Sequence, residues 1–143
     1  MTQVLIDTNI LIHAKSPSSP DHARAKADIE RLVIAGHELF VCPQVLREFY
    51  KVMTTPNTSN GFGLSPDQAK HEVQSLLDTY LLTEDSNTVF REWQTLVDTY
   101  KVSGKNAHDT HIVACMTINA ISAILTYNTK DFRRFNAIIS LHP

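Results

Sequence analysis

Cysteine is scarce in this chain. Cys42 and Cys115 are the only two in 143 residues, and they lie far apart in separate apolar segments. No cysteine pair has zinc or redox spacing. A disulfide scaffold is therefore excluded, and the expectation is two buried, reduced thiols in a cytoplasmic protein. Long hydrophobic runs are missing as well. None approaches the ~20 residues of a bilayer span, so no membrane partner is expected. The N-terminus has no basic stretch before its first apolar run, and Asp7 interrupts that run, which argues against a secretion signal. Positive charge is not in excess either. Thirteen Lys and Arg stand against fifteen Asp and Glu, a net charge of −2, with a pI near 6.4. No overall basic field draws in a polyanion, so a nucleic-acid partner would need a local basic patch or bound cations. Internal repeats and low-complexity tracts are absent.

What is present is ordinary for a globular chain: 43% hydrophobic and 20% charged residues, enough for one domain over 1–143 with a real core. "VLI" at Val4 to Ile6 reads as a buried strand that ends on Asp7 and turns straight into a helix. A loop, "SPSSPD", leads into a helix from Asp21 with Gly36 as its stop. "LFVC" at Leu39 to Cys42 is a second strand, and Pro43 opens a helix to about Met53. After the polar loop "TTPNTSNGFG", "SPDQ" at Ser65 to Gln68 is a capping box that starts another helix. "LLT" at Leu81 to Thr83 is a short strand. Val89, Phe90, Trp93, Leu96, Val97 and Tyr100 follow at helical spacing, an aromatic stripe that reads as core rather than as a base-stacking platform. A last helix runs from about Asp109 to Asn119, with strands at Ile121 to Thr126 and Ala137 to Leu141. Strands alternating with helices indicate an α/β domain with a mainly parallel central sheet of about five strands. Right-handed crossovers make it a three-layer α/β/α sandwich.

In such a sheet, functional groups collect at the carboxyl ends of the strands. Asp7 follows the first strand directly. Glu48 lies about a turn and a half into the helix after the second strand. Asp109 opens a helix whose start falls on the same edge, and Asn128 and Asp131 follow the next strand. Four acids thus converge by topology. Each has a bland alternative: Asp7 and Asp109 as helix caps, Glu48 as a solvated edge residue, Asp131 as a cap of the turn before Phe132. Asp109 shares its face with Ile112, Val113 and Met116, where a carboxylate is costly unless compensated. Clustered carboxylates raise one another's pKa values, and a hard divalent cation with oxygen ligands resolves that conflict. No His or Cys cluster is visible to compete for a softer metal. Mg²⁺ or Mn²⁺ held this way would polarise a phosphate and activate a water.

The stretches "LIDTNILI", "VCPQVLREFYKV", "HDTHIVACM" and "LTYNTKDFRRF", in this order and spacing, resemble the PIN domain, in particular the VapC-type toxins of bacterial toxin–antitoxin pairs. The resemblance covers essentially the whole chain. It implies a Mg²⁺-dependent endoribonuclease with a cognate antitoxin protein and a homodimeric state. It carries the metal-binding role onto Asp7, Glu48 and Asp109, with Asn9 and Thr126 as supporting polar residues. This chain departs from the family at one place: many members have a fourth acid two residues after the threonine, where Asn128 stands. Either Asp131 supplies that carboxylate, or Asn128 acts through its carbonyl, and one or two metal ions follow accordingly.

Lys101 and Lys105 before Asp109, and Lys130, Arg133 and Arg134 after the adjacent strand, offer phosphate contacts on the same edge; a solvated charged face is the alternative. His108 is a candidate for facing RNA, and His111 reads as a surface or packing histidine. Two rival functions stand beside the nuclease. A phosphatase of the haloacid dehalogenase type would need a second Asp where this chain has Asn9. A PIN-like module that binds RNA or a partner without catalysis is kept open by Asn128.

Overall fold

Val4, Leu5 and Ile6 form the continuous apolar run of a strand covered on both faces, and all three are buried. The computed structural model describes residues 2–141. The run is β1 (Gln3–Ile6), the centre of a five-stranded sheet ordered β3-β2-β1-β4-β5. β1 pairs with β2 (Glu38–Val41) on one side and β4 (Ala123–Leu125) on the other. β3 (Leu81–Leu82) and β5 (Ile139–Leu141) form the two edges. All four pairings are parallel.

Parallel neighbours need crossover helices. α1 (Thr8–Lys15) and α2 (His22–Ile34) connect β1 to β2. α3 (Pro43–Thr54) and α4 (Pro66–Thr79) connect β2 to β3. α5 (Asn87–Thr99) and α6 (Asn106–Ile118) carry the chain back across the sheet to β4. The strand order runs outward one way to β3 and then the other way from β4. Right-handed crossovers therefore put α1 to α4 on one face and α5 and α6 on the other. This is the expected three-layer sandwich. The direction of travel reverses between β1 and β4, the place where a doubly wound sheet opens a crevice at its carboxyl edge.

Local signals account for the boundaries. Ser65 and Gln68 form the reciprocal capping box at the start of α4. Gly36, at φ +87°, takes the left-handed turn after α2. Three boundaries differ from expectation, one being the last strand, which begins at Ile139 and not at Ala137. α6 starts at Asn106, so Asp109 lies within its first turn and does not cap it. The strand expected from Ile121 begins only at Ala123, because the Ile121 N–H donates to Met116 O (2.8 Å) to close the end of α6. The aromatic stripe of α5 is only partly core: Val89 is fully buried while Phe90 is 55% exposed and stacks on Trp93.

Candidate active site

Asp7 is the first residue past β1, and its backbone N–H donates to Leu125 O (3.0 Å), which continues the pairing with β4. The side chain is buried and heavily hydrogen-bonded. Oδ1 accepts the Thr8 N–H (2.7 Å) at the start of α1. Oδ2 accepts from the Thr126 hydroxyl (2.8 Å) and from Asn9 Nδ2 (3.2 Å). Asn9 also accepts the Tyr127 N–H through Oδ1 (3.1 Å), which ties the β1–α1 turn to the end of β4. Burial nevertheless outweighs these bonds and pushes the Asp7 carboxyl up to about 6, with a smaller contribution from the Glu48 charge.

Glu48 is partly buried on α3. Its Oε2 accepts from the Thr8 hydroxyl (3.1 Å) and its Oε1 from Gln44 Nε2 (2.9 Å). Asp109 is half-buried on α6, on a face with Ile112, Val113 and Met116, all buried. Burial, then the charges of Asp7, Asp131 and Glu48, push its carboxyl up to about 7, while Lys105 opposes the rise. The charges of the other three acids are therefore all felt at Asp109, and that of Glu48 also at Asp7. Asp131 lies on a 3₁₀ turn, Thr129–Asp131, whose Asp131 N–H donates to Asn128 O (3.0 Å). The Asn128 N–H donates to the Thr126 hydroxyl (2.9 Å), and its side chain is exposed.

A cleft of about 460 Å³ runs beside the acids, lined by Thr8, Gln44, Arg47, Glu48, Lys51, Val52 and His108. His108 thus stands at the cleft wall. Lys105, Lys130, Arg133 and Arg134 are exposed. Lys101 is exposed too and is drawn toward Asp98 (3.3 Å).

The sequence model of the PIN domain matches residues 4–138. The chain belongs to the PIN-domain family. Among individual relatives, ribonuclease VapC48 of Mycobacterium tuberculosis is 27% identical, over 92% of this chain and 91% of the relative. The VapBC2 complex of Rickettsia felis bound to a promoter DNA fragment superposes with a TM-score of 0.72 at 15% identity, covering 99% of both chains. VapBC-1 of nontypeable Haemophilus influenzae also gives 0.72, at 18% identity over 99% of this chain and 98% of that one. At such identities the two structures establish the fold alone.

Several residues of this PIN domain take part in the site without having been singled out from the sequence. Thr8 links the Asp7 backbone turn to Glu48; its only signal was its place next to Asp7. Arg47 and Lys51 line the cleft beside Glu48. They lie one residue before and three after Glu48, so a single helical turn carries acid and base together.

One expectation is corrected. A cluster of softer donors does exist. Asp85, His111 and Cys115 bring their donor atoms within 4.8 Å of one another, the one such trio among the described residues. No three of the four acids bring their oxygens that close. His111, read as a surface or packing histidine, is partly buried, and its Nε2 faces Asp85 Oδ1 at 3.2 Å. The two cysteines, though distant in sequence, are neighbours, Cys42 at the start of α3 and Cys115 on α6. The adjoining Cys115 sulfur, and burial after it, raise the Cys42 pKa. The Cys42 contact, with a second from His111, pulls the Cys115 thiol down to about 6.

Proposed function

We propose that this PIN domain is a divalent-metal-dependent endoribonuclease of the toxin–antitoxin kind. The observation that carries the reading is the buried Asp7 and half-buried Asp109 carboxyls, with the charges of Asp7, Glu48 and Asp131 all felt at Asp109. Hard carboxylate oxygens of this sort fit Mg²⁺ or Mn²⁺, and Asp7, Glu48 and Asp109 would hold the ion. Bound there, the metal would supply Lewis-acid polarisation of a phosphodiester and a lowered pKa for the attacking water. The protein's share is positioning. Thr126 and Asn9 fix the Asp7 carboxylate, and Thr8 and Gln44 fix Glu48. Arg47, Lys51 and His108 on the cleft wall suit the phosphates of an RNA strand, with Lys105, Lys130 and Arg133 extending that surface. Asp131 is our candidate for the fourth acid.

The relative named as a ribonuclease supports RNA as substrate, and the VapBC complexes support an antitoxin protein as partner. Apolar surface supports a homodimer. Leu81 and Leu82 on β3, and Phe90 on α5, are each about half exposed, apolar side chains that a subunit interface could cover. No helix among the described residues is long and apolar enough to cross a membrane.

Incubation of the purified protein with mixed RNA and Mg²⁺, with and without EDTA, tests the activity. The expected result is cleavage that EDTA stops and Asp109→Asn abolishes. RNA binding without any cleavage would leave a non-catalytic binding module in its place.

A further inference from the structure

We propose that Asp85, His111 and Cys115 form a second cation site, separate from the acid crevice and selective for a borderline divalent ion such as Zn²⁺. His111 and Cys115 are four residues apart on α6, the spacing that presents two ligands on one helical face. Asp85, between β3 and α5, completes the trio from outside the helix. The three donor atoms lie within 4.8 Å of one another. A tetrahedral zinc with bonds of ~2.0–2.3 Å needs ligand atoms roughly 3.3–3.8 Å apart, so small side-chain rotations close the set. One imidazole, one thiolate and one carboxylate neutralise the ion, and a sulfur ligand rejects Mg²⁺.

The surroundings suit a bound ion. Cys115 is fully buried, while the His111 and Asp85 side chains keep 25% and 24% of their exposure, which leaves an entry path and a fourth position for water. The buried Cys42 thiol neighbours the Cys115 sulfur, where a sulfur ligand can take a supporting contact. Thr83, two residues before Asp85, is buried with a hydroxyl oxygen that has no hydrogen-bond partner. Asp85 also reaches Arg47 at 3.8 Å. A cation at the trio would compete for that carboxylate and release Arg47 toward the acid cleft it lines.

This site stands independently of the nuclease reading. Titration of the full chain with Co²⁺, followed by absorption, tests it. The expected result is one equivalent bound, with a thiolate-to-cobalt charge-transfer band that Zn²⁺ displaces and excess Mg²⁺ leaves intact. Cys115→Ser should lose the band and Asp109→Asn should keep it. His111→Gln and Asp85→Asn, at partly exposed positions that do not threaten folding, should each weaken binding about tenfold or more. Absence of the band from the native protein, or unchanged affinity in both His111→Gln and Asp85→Asn, would overturn the proposal.

Discussion

Asp7 is both the cap of α1 and a member of the acid cluster, so the two readings open at the sequence level are not alternatives. One oxygen serves the helix and the other faces Thr126 and Asn9. The cost is a buried negative charge with no cation against it. Because the folded-state pKa values of Asp7 and Asp109 lie above the ordinary 3.8, at about 6 and about 7, the fold binds protons more tightly than the unfolded chain. Their contribution to stability is complete at low pH and is lost as pH rises from about 4 through about 7. Thermal melts across that range should show the loss in metal-free protein, and Mg²⁺ should restore stability at neutral pH. Asp7→Asn should flatten the profile and stabilise the metal-free protein at neutral pH by about 1–2 kcal/mol, part of the gain being offset by weaker hydrogen bonds. Asp131 lacks the partners that hold Asp7, but its charge reaches Asp109. Asp131→Asn should shift the Mg²⁺ dependence of RNA cleavage to higher concentration, whereas Asp109→Asn should be inactive at any concentration. Wild-type behaviour of Asp131→Asn would remove that residue from the site.

At the scale of elements, α6 shows what a sequence reveals and what it hides. The apolar face of Ile112, Val113 and Met116 was legible from spacing, and so was the anomaly of Asp109 among them, because helical period needs no tertiary information. The start of the helix was not legible. Lys105 offers no side-chain cap, and the first turn forms without the usual oxygen acceptor. The Asp85–His111 contact was out of reach for a different reason: 26 residues separate the pair, and tertiary packing joins them, with the neighbouring Glu84 backbone bonded to Asn119 at the end of α6. The end of α6 carries local strain. Ala120 sits at φ +58° so that the Ala120 and Ile121 N–H groups can reach Thr117 O and Met116 O, the closing pattern that usually employs glycine. Ala120→Gly should therefore stabilise the protein by about 0.5–1 kcal/mol, the left-handed penalty of a Cβ exceeding the entropy cost of glycine. Chemical denaturation with an unchanged m-value would check it.

Over the whole molecule, apolar surface and topology set the remaining behaviour. If Leu81, Leu82 and Phe90 lie in a subunit interface, light scattering should give a dimer at micromolar concentration, and Phe90→Glu should shift it toward monomer without lowering helix content. A native protein that is monomeric throughout would count against the interface. The strand order has a further effect, in time rather than in space. β1 is made first but occupies the middle of the sheet, and the hydrogen bond from Thr126 to Asp7 spans 119 residues. At a synthesis rate of roughly 5–20 residues per second, about 6–24 s pass between the two ends of that bond. Until β4 emerges, Asp7 has no Thr126 to orient it and no crevice to face. On the nuclease reading proposed above, a product truncated before β4 should therefore show no RNA cleavage in the Mg²⁺ assay, and full activity in such a truncation would detach the Thr126–Asp7 bond from function.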